Sequence, residues 1–422
     1  MHSVIVRCFI SIIVCTGLSF GAPVVSSSQD DSFPDTNADL KADPGEQIDY
    51  KTSISNTGPD AATGVRLVSP IPTDTTQTGG VRSTPLARDD SYSSIGNVGI
   101  TVLTANGLLA NDFDLGGTAP TVVSPVPGTP TSTSLGGSVT ITAGGLGGFT
   151  YTPPAGITGQ DTFSYTIADE NGAALPAPAT GSNISTVTIM IGGMIWFINN
   201  GGVAGNGTLA SPFNSLSQHN ANPSDNDRDC IFVYTGAGNY GGGIVLQNRQ
   251  ILIGQGSTAT LAASCGITPP ANSTPLPTTS GTRPVLFNAA GNGISLASRN
   301  TVRGMNIGNS SGSGLIGSSF GTAVISEVAV STGGVGINLN TGTLFATFDS
   351  VTKTSSDSDG IVLTSVAGNA DFGAMTITST GAGRGIRLDG TGTASSIFSG
   401  SGNISSGTGT AVDLSDCTLG TG

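Results

Sequence analysis

A short motif of glycine, an aliphatic residue, a variable residue and leucine recurs through the last third of the chain. Five of its six copies open on glycine, and the six opening residues lie 21, 22, 24, 25 and 26 residues apart. A strand-forming motif at this spacing predicts stacked coils, each burying its aliphatic side chains against the next. Further strand-like runs between copies indicate several strands per coil and therefore a right-handed parallel β-helix. The copies are Gly293-Ile294-Ser295-Leu296, Gly314-Leu315-Ile316, Gly336-Ile337-Asn338-Leu339, Gly360-Ile361-Val362-Leu363, Gly385-Ile386-Arg387-Leu388 and Ala411-Val412-Asp413-Leu414.

Composition favours the same all-β fold class and excludes several functions. The 422 residues include 64 glycines, and only 10% of them are charged; average glycine usage is about 7%. The net charge of −13 argues against nucleic-acid binding, because a basic surface is needed to replace phosphate counterions. His219 is the one histidine outside the first 21 residues, which excludes a multi-histidine metal site. We expect it in a loop near the first coil.

Residues 1–21 are typical of a secretory signal peptide. Arg7 is followed by the apolar run Phe9-Ile10-Ser11-Ile12-Ile13-Val14 and then by small residues. The run is shorter than the roughly 20 residues that cross a bilayer, and no later segment is longer. We therefore predict a secreted mature chain without a transmembrane segment. Cys15 is preceded by the bulky Val14, which argues against a lipoprotein signal.

Three cysteines remain after the signal peptide: Cys230, Cys265 and Cys417. An odd number permits at most one internal bridge. Cys230 and Cys265 are the closest in sequence and share a domain, which favours them as a pair. Alternatively, all three are small buried side chains without a bridge.

Residues 87–193 contain strand-like runs in which apolar residues alternate with small or polar ones, as in Phe163, Tyr165 and Ile167. One buried face per strand predicts a two-sheet antiparallel sandwich. Four ordered blocks resemble the bacterial cadherin-like domain, a family found in tandem on large exported adhesion proteins. The blocks are Ala87-Arg88-Asp89-Asp90-Ser91-Tyr92, Gly107-Leu108-Leu109-Ala110-Asn111-Asp112-Phe113-Asp114, Phe149-Thr150-Tyr151-Thr152-Pro153 and Gly159-Gln160-Asp161-Thr162-Phe163-Ser164-Tyr165-Thr166-Ile167-Ala168-Asp169.

The segments before the sandwich carry weaker signals. Residues 22–38 are rich in serine and aspartate, which predicts a disordered linker. Residues 39–86 resemble part of a repeat domain of unknown function common on bacterial surface proteins. In this part, two strands are expected around the turn Asn56-Thr57-Gly58-Pro59, the second of them near Val65 and Leu67.

The β-helix is expected over residues 194–422. Its opening at Ile195-Trp196-Phe197-Ile198 and its repeats look like the β-helix modules of exported bacterial surface proteins. The sequence ends just after a repeat strand, so we expect a truncated product or a piece of a longer surface protein. The proline-rich stretch from Thr268 to Pro277 is expected to protrude as a loop, where binding surfaces often arise.

Calcium is the cofactor that the sequence favours. Calcium takes six to eight oxygen ligands, and the acidic residues of the sandwich stand at loops or strand ends. The cadherin-like resemblance adds to this expectation. The alternative is that these side chains only accept hydrogen bonds from turn backbone. The candidate ligands are Asp89, Asp90, Asp112, Asp114, Asp161 and Asp169.

We predict no catalytic residues. A β-helix polysaccharide lyase or hydrolase is the alternative, and it would need paired carboxylates or calcium with basic residues on one face. The densest charged groups of the β-helix, Asp357-Ser358-Asp359 and Arg384 with Arg387 and Asp389, are interpreted as solvated turn residues. The sequence thus predicts a non-catalytic, secreted bacterial cell-surface protein in adhesion or structure. It would bind a surface protein or glycan through loops or the β-helix face.

Overall fold

The computed structural model describes residues 24–32, 46–58, 76–78, 85–114, 119–169, 184–390 and 397–416. The fold is all-β, with 52% strand and 5% helix. Two compact units divide the chain after Val81. The signal-peptide prediction, Cys417 and the predicted strand near Val65 and Leu67 lie outside the described residues.

The described residues of the first unit contain one antiparallel strand pair. Strand β1 (Val25–Ser32) pairs with β2 (Asp49–Asn56) in a register running from Val25 opposite Asn56 to Ser32 opposite Asp49. The prediction that residues 22–38 form a disordered linker is therefore wrong for β1. The prediction weighed apolar content alone, whereas this pairing is made by main-chain N–H and C=O groups, which every residue but proline supplies in full.

The second unit begins with the sandwich, which has two four-stranded sheets. One sheet has the order β5-β9-β10-β3 and the other the order β4-β8-β7-β6. Their inner faces meet in an apolar core that includes Phe149, Tyr165 and Ile189. The strands are β3 (Asp90–Gly96), β4 (Ile100–Val102), β5 (Thr121–Ser124), β6 (Thr131–Ser132), β7 (Ser138–Ile141), β8 (Phe149–Thr152), β9 (Gly159–Ala168) and β10 (Ser185–Ile198). Thr104–Asn106 and Leu108–Ala110 form 3-10 turns.

One strand pair of the sandwich departs from the antiparallel expectation. Strand β10 pairs antiparallel with β9 but parallel with β3, with Val187 opposite Asp90 and Ile191 opposite Ser94. Alternation of apolar residues reports which face is buried but not the direction of a neighbouring strand. Strand direction was therefore beyond the reach of the sequence pattern.

Downstream of the sandwich, a parallel β-solenoid of about seven turns occupies residues 230–415. The predicted motif copies align as neighbours, with Ile294 opposite Leu315, Leu315 opposite Ile337, and Ile337 opposite Ile361. The strands are β11 (Cys230–Val233), β12 (Tyr240–Gly241), β13 (Ile244–Val245), β14 (Ile251–Gly254), β15 (Val285–Asn288), β16 (Ile294–Leu296), β17 (Thr301–Ser310), β18 (Ser313–Thr332), β19 (Val335–Ser356), β20 (Ile361–Ser379), β21 (Ile386–Asp389), β22 (Ile397–Ser405) and β23 (Val412–Ser415). Helices α1 (Leu216–Asn220) and α2 (Leu261–Cys265) interrupt the early coils.

The repeated glycine is explained by the close approach of neighbouring coils. A Cβ atom on Gly336 would lie 2.8 Å from the carbonyl oxygen of Gly360, and one on Gly360 would lie 2.4 Å from that of Gly385. No side chain fits at these distances without displacing the next coil. The motif therefore begins with glycine because its position faces backbone.

The sandwich and the solenoid share strand β10. Its first half pairs within the sandwich, and Ile195–Ile198 pairs parallel with β11, the first solenoid strand. The predicted boundary between residues 193 and 194 thus falls inside a continuous strand. Asn97, in the turn after β3, donates from Nδ2 to the carbonyl oxygen of Ile195 at 3.0 Å.

A disulfide bond joins Cys230 of β11 to Cys265 of α2, which settles the alternative that the sequence left open. It holds α2 over an outward apolar cluster that includes Phe197, Phe232 and Leu261. The bridge therefore attaches a helix to the outer wall of the first coils.

Candidate functional site

Two carboxylates meet at one end of the sandwich. Asp90 opens β3, and Asp112 follows the second 3-10 turn. The hydroxyl of Tyr165, from β9, lies 2.8 Å from Asp112 Oδ1, and the backbone N–H of Arg88 donates to the same oxygen at 2.8 Å. The pair is thus assembled from three separate segments of the domain.

The electrostatics of this pair are unusual for surface aspartates. Burial, opposed by the hydrogen bond from Tyr165 and aided by the charges of Asp112 and Asp89, raises the pKa of Asp90 to about 7. Burial also raises the pKa of Asp112. One buried oxygen of each carboxylate, Oδ2, has no hydrogen-bond partner. Buried carboxylate oxygens without donors are stabilised by protonation or by a hard cation.

The other candidate ligands are placed differently. Asp89 Oδ1 accepts the backbone N–H of Thr186 at 2.8 Å, which ties it to β10. Asp114 lies two residues beyond Asp112, and Asp169 directly follows β9. In the described ranges, no three His, Cys, Asp or Glu side chains form a metal-binding group. Of the candidate ligands, the structure therefore brings Asp89, Asp90 and Asp112 close enough to interact electrostatically.

Asp161 has a structural environment. It is fully buried, and its two carboxylate oxygens accept five hydrogen bonds within the sandwich. Burial acts to raise the pKa of Asp161, but the hydrogen bonds outweigh it and hold the pKa below its ordinary value. The donors satisfy the carboxylate and leave no free acceptor for a metal. They are Thr133 Oγ1 at 2.5 Å, Tyr151 OH at 2.7 Å, Leu135 N at 2.8 Å, Ser134 Oγ at 2.9 Å and Thr162 N at 2.9 Å.

The proline-rich segment after α2 is packed between the two domains. Thr101 N, in edge strand β4, donates to Asn272 O at 2.9 Å, and Thr274 N donates to Gly99 O at 2.9 Å. The expectation of a protruding loop is therefore wrong. An edge strand leaves main-chain groups unpaired, and this segment satisfies two of them.

Residues 255–284 contain α2 and the proline-rich segment, and an ion pair and a hydrogen bond attach them to later coils. Arg283 pairs with Asp349, and Thr258 donates to Glu327, which also accepts Arg303 Nη2 at 3.1 Å. Burial acts to raise the pKa of Glu327, but the hydrogen bonds from Thr258 and Arg303 hold it below the usual range. These charges fasten residues 255–284 along the solenoid.

The charged groups that the sequence interpreted as turn residues contact the next coil. Asp359 Oδ1 accepts the backbone N–H of Arg384 at 2.7 Å, and Asp357 Oδ1 accepts Thr380 Oγ1 at 3.1 Å. Arg384 Nε lies 3.3 Å from Asp413 Oδ2, and Arg387 pairs with Asp389 at 2.9 Å. The contacts of Asp357, Asp359 and Arg384 link neighbouring turns, whereas the Arg387–Asp389 pair lies within strand β21.

His219 is not a loop residue, contrary to expectation. It belongs to α1 and is fully buried, with Nε2 3.5 Å from Asp225 Oδ1. Asp225 Oδ1 also accepts Gln250 Nε2 at 2.7 Å, and Asn300 Nδ2 donates to Gln250 O at 3.2 Å. A buried polar ladder therefore runs through three coils of the solenoid.

Gln250 and Asn300 of the ladder belong to a turn whose sequence repeats in three coils. The glycine motif does not include this repeat. Asp229 Oδ2 accepts Asn226 N at 2.9 Å, and Gln250 Oε1 accepts Gln247 N at 2.7 Å. Asn300 Oδ1 closes the third turn on residue 297 at 2.7 Å. A polar residue, arginine and then Asp, Gln or Asn precede the strand in all three turns, and that pattern was visible in the sequence.

Comparison with known proteins identifies the sandwich. Residues 82–192 match the family model of the bacterial cadherin-like domain. The chain thus contains such a domain, followed by a β-solenoid, as the resemblance predicted. The chain matches no curated protein and no solved structure. Within the described ranges, no helix is both long and apolar enough to cross a membrane.

Proposed function

We propose that this protein is an exported, non-catalytic bacterial surface protein that binds a surface protein or glycan through the solenoid. The observation that carries the proposal is the fusion of a bacterial cadherin-like domain to a β-solenoid through the single strand β10. Because β10 pairs with strands of both domains, the sandwich and the solenoid are joined by a continuous strand. The order of the two domains supports this function, whereas either fold alone serves several functions.

Three features of the chain support, in turn, export, a non-catalytic role and binding. The Cys230–Cys265 disulfide is typical of oxidising compartments outside the cytosol. The aspartates and arginines from residue 349 to residue 413 make contacts within or between coils, which is the behaviour of structural side chains. A parallel solenoid offers a long, regular outer surface on which a partner can lie.

The proposal is tested by incubating the full chain on a glycan array, with and without calcium, and then analysing the glycans for cleavage products. Binding without cleavage supports it. Sugar release that is lost in an Asp357→Asn/Asp359→Asn variant would favour the polysaccharide lyase or hydrolase instead. An Asp349→Asn variant serves as the control, because Asp349 pairs with Arg283 outside that cluster.

We further propose that calcium binds at Asp90 and Asp112. Each carboxylate keeps one buried oxygen without a donor, and calcium accepts main-chain oxygens and water as further ligands. The ion would offset the negative charge of the two carboxylates.

Thermal unfolding with increasing calcium tests this site, because a ligand of the native state raises the midpoint. The wild-type chain should gain stability at millimolar calcium, and an Asp90→Asn/Asp112→Asn variant should not. A flat wild-type response would contradict the proposal. Magnesium is the matched control, because it dehydrates reluctantly and demands stricter geometry.

A further inference from the structure

Three arginines occupy equivalent positions in three successive coils of the solenoid. The backbone N–H of Arg228 donates to the carbonyl oxygen of Asn248 at 3.0 Å, and that of Arg249 donates to Ser298 O at 2.7 Å. Asn248 precedes Arg249 and Ser298 precedes Arg299, so the three residues are stacked in register. Neighbouring strands lie about 4.8 Å apart. We name this line of Arg228, Arg249 and Arg299 the arginine column.

The column has a backbone conformation that normally selects glycine. The φ angles of Arg228, Arg249 and Arg299 are 73°, 61° and 65°. At the equivalent position of the coils on either side stand Gly193 and Gly321, with φ of 68° and 60°. Left-handed backbone is strained for a residue with a Cβ and unstrained for glycine. Ser319, Thr341 and Ser365 of later coils share this conformation, so it belongs to the solenoid turns. What distinguishes the column is that all three of its side chains are arginine.

The guanidinium groups of the column are exposed and uncompensated. In the described part of the chain none of the three forms an ion pair, whereas the other four solenoid arginines all do. Asp229, next to Arg228, turns inward to accept Trp196 Nε1 at 2.9 Å. Within the turn segments 226–230, 247–251 and 297–301, Asp227 is the exposed carboxylate, and its Oδ2 accepts Asn248 Nδ2 at 3.4 Å. A positive line therefore stands on a chain of net charge −13.

We propose that the arginine column binds a linear acidic polysaccharide through its carboxylate or sulfate groups. The inference rests on the proposed surface-binding function and gives its ligand a chemical class. A guanidinium donates two parallel hydrogen bonds to such a group. Guanidinium groups repeated along a line complement a polymer whose anionic groups also repeat along a line.

A nucleic acid carries the same repeated charge but fits this surface less well. Binding of single strands relies on aromatic side chains on which bases stack. The three turn segments 226–230, 247–251 and 297–301 contain no aromatic residue. The net negative charge of the chain further opposes a long polyphosphate.

The test measures binding of the full chain to immobilised polygalacturonate, dextran sulfate, neutral dextran and oligothymidylate. The wild type should bind one or both acidic polysaccharides and not neutral dextran, and raising the ionic strength from about 0.05 to about 0.5 M should weaken binding. An Arg228→Gln/Arg249→Gln/Arg299→Gln variant should bind about tenfold or more weakly. The matched control is Arg384→Gln/Arg387→Gln, whose guanidinium groups are already paired, and it should bind as the wild type does.

A second variant separates a binding role from a structural one. Arg249→Gly removes the guanidinium but suits the left-handed backbone, so it should weaken binding without lowering the melting temperature. Lack of binding to both acidic polymers, an unchanged affinity of the triple variant, or binding to oligothymidylate alone would overturn the inference. If the triple variant still binds glycans on the array, the surface-binding function stands without the column. A wild type that binds nothing on the array would instead remove the glycan-binding function itself.

Discussion

The side chain of Asn97 joins the sandwich to Ile195 across a 3.0 Å hydrogen bond from its Nδ2 to the carbonyl oxygen. The Asn97 Oδ1 accepts a hydrogen bond from the backbone N–H of Gly156 at 2.8 Å. The backbone carbonyl oxygen of Asn97 accepts one from the backbone N–H of Leu209 at 2.9 Å. One buried residue therefore connects a sandwich turn, a sandwich loop and the first coil. The two domains are joined by these hydrogen bonds as well as by the shared strand.

Replacing Asn97 should loosen this junction. Asn97→Ala removes two side-chain hydrogen bonds and replaces asparagine, which tolerates a φ of 68°, by a residue that tolerates it less well, so we expect a loss of about 2–4 kcal/mol in the free energy of unfolding. The fluorescence of Trp196, the single tryptophan of the chain, reports unfolding at the junction. The exposed Asn106→Ala variant should change stability by less than about 0.5 kcal/mol. Equal effects of the two substitutions would contradict this role.

Coil stacking should fail at the repeated glycines. Gly360→Ala places a methyl group 2.4 Å from the carbonyl oxygen of Gly385, and overpacking of this kind costs about 1–3 kcal/mol. Gly241→Ala is the matched control, because its added Cβ meets no atom within 4 Å. Chemical denaturation of both variants measures the difference. Similar midpoints would show that the glycine stack is not needed for close packing.

Loss of the disulfide should destabilise the early coils. The bridge closes a loop of 35 residues, for which the chain-entropy model gives about 3–4 kcal/mol. A reducing agent should lower the melting temperature of the wild type and leave that of a Cys265→Ser variant unchanged. A non-reducing peptide map should identify the Cys230–Cys265 link directly. A further drop of the variant in reductant would indicate another bridge.

The Asp90–Asp112 pair should make stability depend on pH in the absence of calcium. Burial raises the pKa of Asp90 to about 7 from 3.8, so between these values the folded state holds a proton that the unfolded state has released. Stability should therefore fall as pH rises through this window. Thermal scans in EDTA measure the slope, and Asp90→Asn should reduce it. Stability that rises with pH and is unaffected by the substitution would contradict this assignment.

Asp161 should have the opposite pH dependence. Its hydrogen bonds hold the folded pKa below 3.8, so its contribution is present above that pH and is lost as pH falls through the lowered value. Asp161→Asn brings an NH₂ donor among five donors and should cost about 3 kcal/mol or more at neutral pH. Urea denaturation at pH 7 measures this cost. A variant as stable as the wild type would show that the carboxylate is dispensable.

Much of the fold followed from local pattern. The glycine motif predicted the coils because every coil must bury the same positions and admit the next backbone at the same place. Alternation around Phe163 and Tyr165 predicted the sandwich because a strand with one buried face has a period of two. The sequence placed Asp90 and Asp112 among the candidate ligands. It could not show that Asp161, another candidate, has a structural environment instead. Its donors come from Thr133 and Tyr151, which only folding brings together.

The sequence by itself determined the fold class and the order of the sandwich and the solenoid, because each depends on periodicity or composition within a short window. The tertiary structure decided three further relationships: the parallel pairing of β10 with β3, the burial of His219 and the alignment of the arginine column. Arg249 and Arg299 lie 50 residues apart in the chain, yet they stack in adjacent coils because residues 255–284 leave the solenoid and return. Sequence distance does not report such an excursion. The strand register reports this excursion, and the register exists only once the coils have folded against one another.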